Sequence, residues 1–170
     1  MKYLEIVFTK SKKKFPIIGW GIQLWTNKPY SHSAVKFNTS NYFGMNTFFQ
    51  ASDGMVNYMS ETQFNKKHTV TSTKKVYVDS DVYREIRNSC HYEAGAKYGI
   101  MQNIGIVLVD ILSIFGTKID NPFKYGRNCS ELIYIKIIVP MWGEQGYNPD
   151  TIKPHHIERI LNEKLNESVL

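Results

Sequence analysis

Hydrophobic periodicity changes once along this chain, and that change limits the fold more than any other feature. Up to Val78 the apolar residues tend to alternate with polar ones; beyond Asp79 they recur every three or four positions. The first regime predicts strands at Lys2 to Thr9, Ser31 to Phe37, Tyr42 to Ala51, Met55 to Met59 and His68 to Val78. Turn clusters at Asn38 to Asn41 and Ser52-Asp53-Gly54 make the middle three a β-meander. A short helix over Ile17 to Trp25 interrupts this half. The second regime predicts a helix capped by Asp79-Ser80-Asp81 and closed by Gly95, with Val82, Ile86 and Cys90 on one face. In the next, Ile100, Ile104, Leu108, Ile111, Leu112 and Phe115 form an expected buried face, stopped by Gly116. A third helix runs from Cys129 through Ile138, where Pro140 breaks it, and after the turn Asn148-Pro149-Asp150 a last one covers Lys153 to Leu165. Sheet first and helices after predict an α+β fold with an antiparallel β-sheet packed against helices.

At 170 residues the chain fits one domain, 1–170. Apolar residues at 42% and aromatics at 14% exclude a disordered chain. The net charge of +6 favours anionic surroundings, and two lysine knots carry much of it: Lys10, Lys12, Lys13 and Lys14, and Lys66, Lys67, Lys74 and Lys75. Both knots read as solvated loops, with nucleic acid the less favoured partner. Two cysteines make neither a disulfide framework nor a zinc site, which fits a reducing compartment. The first residues lack a signal-peptide pattern, and the longest apolar stretch, Ile100 to Phe115, contains Gln102, Asn103 and Asp110 and is too short to span a bilayer. A soluble, cytoplasmic protein is the expectation.

Thiol chemistry needs a cysteine held as thiolate, a histidine to take its proton, and a polar group to orient that imidazole. Cys129 opens an apolar helix after the loop Tyr125 to Asn128, where the helix dipole and free amides favour a thiolate and can hold an oxyanion. His32 heads an alternating strand, and Gln50 lies in the next one, where antiparallel pairing can bring the two side chains together. Asn46 and Ser52 share the alternating face of Gln50 and are the next candidates for the orienting role. Trp25 and Tyr30 flank the histidine strand as candidate walls of a substrate groove. Cys90 reads as core, His68 as exposed, and His155-His156 as surface or capping residues rather than metal ligands.

The runs WTNKPYSHSAVKF, FFQASDGMV, RNCSELIYIK and YNPDTIKPHHIERIL resemble the permuted branch of the NlpC/P60 papain-like superfamily, in which the histidine strand precedes the cysteine helix. The resemblance extends from about Ile22 to Leu161, and its sharpest motifs are Tyr30-Ser31-His32 and Asn128-Cys129-Ser130-Glu131-Leu132. It implies a circularly permuted papain-like fold with Cys129 as nucleophile and His32 as general base. Gln50 stands where relatives often carry a glutamate, and a neutral amide supports an imidazolium less than a carboxylate does.

What the resemblance implies for function is a thiol hydrolase, an amidase or cysteine peptidase of bacterial or phage type. Such an enzyme works through a thioacyl intermediate and needs no cofactor or metal. Relatives include peptidoglycan peptidases, amidases and lipid acyltransferases, so peptide, amide and acyl-lipid substrates are all implied. The rival readings are a thiol acyltransferase of the same fold and a catalytically silent papain-like binding module.

Overall fold

Alternation of Leu4, Ile6 and Phe8 with Tyr3, Glu5 and Val7 gives the first strand two apolar sides, and it becomes an interior strand of the sheet. The computed structural model describes residues 1–12, 17–38, 46–117, 119–123 and 125–167. Its five strands, β1 (Lys2–Ser11), β2 (His32–Phe37), β3 (Thr47–Ser52), β4 (Met55–Ser60) and β5 (His68–Val78), form one antiparallel sheet in the order β4-β3-β2-β1-β5. Helix α1 (Ile17–Thr26) joins β1 to β2, and α2 (Glu61–Lys67) joins β4 to β5. The helical half follows as α3 (Ser80–Glu93), α4 (Ile100–Ile114), α5 (Cys129–Ile133), α6 (Val139–Trp142) and α7 (Pro154–Glu167). The architecture is α+β, and no helix among the described residues is long and apolar enough to cross a membrane.

The sheet is covered unequally. Leu4, Ile6, Phe8, Val35, Phe37 and Phe49 form the larger core with residues of α3, α5 and α7; Val7, Ala34, Phe48, Met59 and Phe64 form a smaller one beneath α2. Burial of such side chains contributes about 1.5–3 kcal/mol each.

Four expectations need correction. Lys66 and Lys67 are not in a loop but in the last turn of α2, a helix the periodicity missed because it spans only two turns and buries one side chain, Phe64. The start signal was present as Ser60-Glu61-Thr62-Gln63, and the Gln63 amide donates to Ser60 Oγ. Lys74 and Lys75 lie within β5, Lys75 standing over the Tyr3 ring. Lys13 and Lys14, and the segment 42–45 of the expected third strand, lie outside the described residues. Pro140 does not end its helix: a π-helical turn at Tyr134–Ile138 widens the coil just ahead of it, and the helix continues into α6.

The fourth correction concerns α4. Its expected apolar face is the exposed one, with Ile104 at 45%, Leu108 at 38%, Ile111 at 39% and Phe115 at 78% exposure. The buried side carries Gln102, Gly105 and Ile106 instead. Polar anchoring sets this orientation. Gln102 Nε2 donates to Glu131 of α5 at 2.8 Å, and Asn121 packs so tightly on Gly105 that a Cβ there would lie 1.8 Å from its Oδ1. Asn121 Nδ2 also donates to the Gln102 and Asp150 carbonyls. Breaking buried amide pairs costs more than exposing aliphatic side chains at the surface.

Candidate functional site

Cys129 is delivered by a close crossing of two loops. Gly126 has φ +93°, and a Cβ on it would lie 2.7 Å from the Gly99 nitrogen, so only glycine lets the chains approach. Arg127 then pairs with Glu93 and Glu131 at 2.8 and 2.5 Å, fixing the approach to α5. Asn128 caps the helix: its Oδ1 accepts from the Ser130 and Glu131 amides at 2.9 and 2.8 Å, and Glu131 reaches back to the Asn128 amide. This capping box explains the Asn-Cys-Ser-Glu sequence. The cap takes the second and third amides of the helix, those of Ser130 and Glu131, and not that of Cys129.

His32 opens β2 at the end of the sheet where α5 brings in Cys129. Extending the β2–β3 register places Gln50 opposite Ala34, from which it reaches diagonally to the ring. His32 Nε2 donates to Gln50 Oε1 at 2.9 Å, and Gln50 Nε2 donates to Met59 Sδ, which fixes the carboxamide orientation. With Nε2 occupied, Nδ1 is the nitrogen left for the thiol.

The two ionisable groups move toward each other in proton affinity. Burial opposes a thiolate at Cys129, but the His32 charge, a hydrogen bond to it, the Ser33 backbone N–H and the Ser130 hydroxyl prevail, bringing the thiol down to about 7. Burial likewise disfavours a charged His32, yet the Cys129 charge and hydrogen bond, Gln50 and the Asp53 carboxylate raise it above its ordinary value. Cys90 behaves oppositely: fully buried, its thiol is pushed up chiefly by desolvation.

The structure therefore brings Cys129, His32 and Gln50 together. Trp25 lines a small cleft of about 30 Å³ beside Cys129, along with Ile22, Ser31, Asn103 and Val107. Tyr30 does not stand on that cleft. Its ring packs on Phe8 and its hydroxyl donates to Glu158 at 2.6 Å, so it anchors α7 to the sheet. Asn46 donates to Glu61, away from the imidazole.

Three residues were not anticipated. Tyr98 feels the charge of Cys129 and, chiefly through burial, keeps its phenolic proton; Asn103 donates to its oxygen at 2.9 Å. Asp53, in the β3–β4 turn and paired with Lys67 at 2.7 Å, adds the smallest of the influences that raise His32. His68 is half-buried rather than exposed, stacked on His32 with centroids 5.1 Å apart and on Phe64 at 4.6 Å. A register shift between Phe8 and Thr9 accompanies this stack, which sequence spacing alone does not reveal.

His156 Nδ1 accepts from the Lys153 amide, the capping role expected of that pair. Among the described residues no group of three or more His, Cys, Asp or Glu is arranged to hold a metal ion. Compared with known proteins, the chain matches no family model, no curated protein and no solved structure.

Proposed function

We propose that the protein is a cysteine-dependent acyl hydrolase of the permuted NlpC/P60 papain-like type, acting through a thioacyl intermediate. The observation that carries this reading is the buried Cys129 thiol, lowered to about 7 at a capped helix start beside His32, whose other nitrogen is held by Gln50. A packing cysteine has no such surroundings, as Cys90 illustrates.

In this mechanism His32 Nδ1 holds the thiol proton and the Cys129 thiolate attacks a carbonyl carbon. The developing oxyanion meets the Cys129 amide and the Tyr98 hydroxyl. As the carbonyl re-forms, His32 gives its proton to the leaving amine or alcohol, and the C–N or C–O bond breaks to leave a thioester. His32 then removes a proton from water, the hydroxide attacks the thioester, and the acid departs as the thiolate–imidazolium pair is restored. Gln50 keeps Nε2 protonated throughout, so that Nδ1 is the exchanging nitrogen.

Limiting iodoacetamide at neutral pH, followed by peptide mapping, tests the nucleophile. Cys129 is expected to label well before Cys90, and an activated acyl ester should leave an acyl mass on Cys129 that Cys129→Ala lacks. Preferential labelling of Cys90, or an inert Cys129, would favour a silent binding module.

A further inference from the structure

Two imidazoles meet at one end of the sheet, and the hydrolase mechanism uses only His32. The second, His68, opens β5, and its ring stacks on that of His32 with centroids 5.1 Å apart and planes 21° from parallel. The backbone brings it there. Thr9 pairs with His32 on one side of β1 and with Val70 on the other, and Ser11 pairs with His68. A regular ladder continued from the Phe8–Ser72 pair would set Ser11 opposite Thr69 and turn His68 to the other face of the sheet. The register shift between Phe8 and Thr9 re-aims it by one residue. Thr9, Ser11, His32 and His68 therefore share one face, and Thr9 Oγ1 lies 3.5 Å from His68 Nδ1.

His68 is itself backed. Phe64, the buried side chain of α2, stacks on it with centroids 4.6 Å apart, and Phe48 stacks on Phe64 at 3.8 Å. Four rings thus form a column that starts in the smaller core and ends on the face of His32. The bond between His32 Nε2 and Gln50 lies at the ring edge and leaves one freedom, a tilt about the line from Cβ to Nε2. Nδ1 lies to one side of that line, so a tilt swings it away from the Cys129 sulfur. A flat ring held against the face opposes the tilt, which would drive one edge of the imidazole into it and lift the other out of contact. We infer that His68 is a positioning residue of the thiol site, whose ring holds the plane of His32 so that Nδ1 stays aimed at Cys129. The inference rests on the hydrolase reading and adds to it the group that does for the ring plane what Gln50 does for Nε2.

Iodoacetamide alkylation of Cys129 against pH, in the full chain, tests this without an ester substrate. His68→Ala removes the flat face, and His68→Phe keeps it without either ring nitrogen. In His68→Ala a misaligned His32 supports the thiolate less. The limb of the profile should then rise from about 7 by at least about one pH unit, which slows alkylation at pH 7 about 5-fold. His68→Phe should restore the native limb. If the alanine variant does not fold, His68→Leu fills the volume without a flat face and should show the same upward shift.

Lost packing alone would lower the thermal midpoint and leave the limb in place. A native limb in folded His68→Ala or His68→Leu would therefore overturn the positioning role. A limb displaced as far in His68→Phe as in His68→Ala would also overturn it, because the ring nitrogens and not the face would then be what His32 needs. Both results leave the hydrolase reading intact. Native Cys129 with no limb below about 9 would instead sink that reading, and the inference with it.

Discussion

The Cys129 thiol is nearly enclosed, and enclosure alone would keep it protonated. Its depressed proton affinity therefore depends on His32, which gives a sharp expectation. Alkylation of Cys129 should follow a limb near pH 7 in the native protein, because reactivity rises as the thiolate forms. In His32→Ala, burial is no longer opposed by a neighbouring cation, and the limb should move above 9, measured by iodoacetamide rates against pH. A limb that stays near 7 would assign the thiolate to the helix terminus alone. Gln50→Ala should leave the fold intact and lower turnover by about 10-fold to 100-fold, the worth of one or two hydrogen bonds to a charged ring. Unchanged kinetics would move the orienting role to the Asp53 turn. The residue types at Cys129, His32 and Gln50 were legible in the sequence because each sits at a readable landmark: a helix start, a strand head, a partner strand. Tyr98 and Asp53 were not, since Tyr98 reaches the thiol through a bridge to Arg127 and Asp53 acts on His32 from a turn, and both placements depend on how distant segments cross.

Elements position the site through backbone contacts as much as through side chains. The crossing of Gly126 over Gly99 is the narrowest of these. Gly126→Ala would put a Cβ against backbone while holding a non-glycine residue at φ +93°. A loss of at least about 2 kcal/mol is expected in urea unfolding. Because Asn128 and Cys129 follow directly, Cys129 alkylation at neutral pH should slow in the same variant under conditions where it remains folded. If stability drops while alkylation is unaffected, the crossing supports the fold without aiming the thiol. The same scale explains where sequence reading fell short. The strand from His68 to Val78 was legible to the residue because β-branched residues mark it. The helix at Ile100 was legible in extent, but its orientation was not, because amphipathic periodicity says which residues share a face and not which face turns inward. Gln102 on Glu131 and Asn121 on Gly105 decided that, through partners 29 and 16 positions away. Pro140 misled for a related reason: a π turn accommodates a proline that a regular helix would not.

At the scale of the whole molecule, α7 closes the larger core with Ile157, Ile160 and Leu161, and its first turn carries two half-buried histidines. Burial first, then Lys153, Lys28 and Arg159, hold His155 down to about 4; burial, His155, Lys153 and Arg159 do the same for His156, with Asp110 opposing in both cases. An unfolded histidine takes its proton near 6.5, so between about 6.5 and 4 the unfolded chain binds more protons than the folded one. Stability contributed by the two neutral imidazoles is thus complete above 6.5 and lost as the pH falls through that window. Glu61, Glu93 and Glu158 have lowered proton affinities in the fold, and their contribution begins to fail only below about 4.5, the usual carboxylate range. The site pair acts above the window: the Cys129 contribution is lost as the pH falls from about 9 toward 7, and that of His32 is gained as the pH falls toward 6.5. Thermal melts should therefore show a midpoint that drops between pH 6.5 and 4.5, before the glutamates titrate. In the double variant His155→Gln, His156→Gln that drop should flatten, while the steeper loss below 4.5 persists. A native midpoint that is level from 6.5 to 4.5 would mean that α7 accepts both charges among Lys153, Lys28 and Arg159 without loosening, and that its hold on the core does not depend on neutral imidazoles.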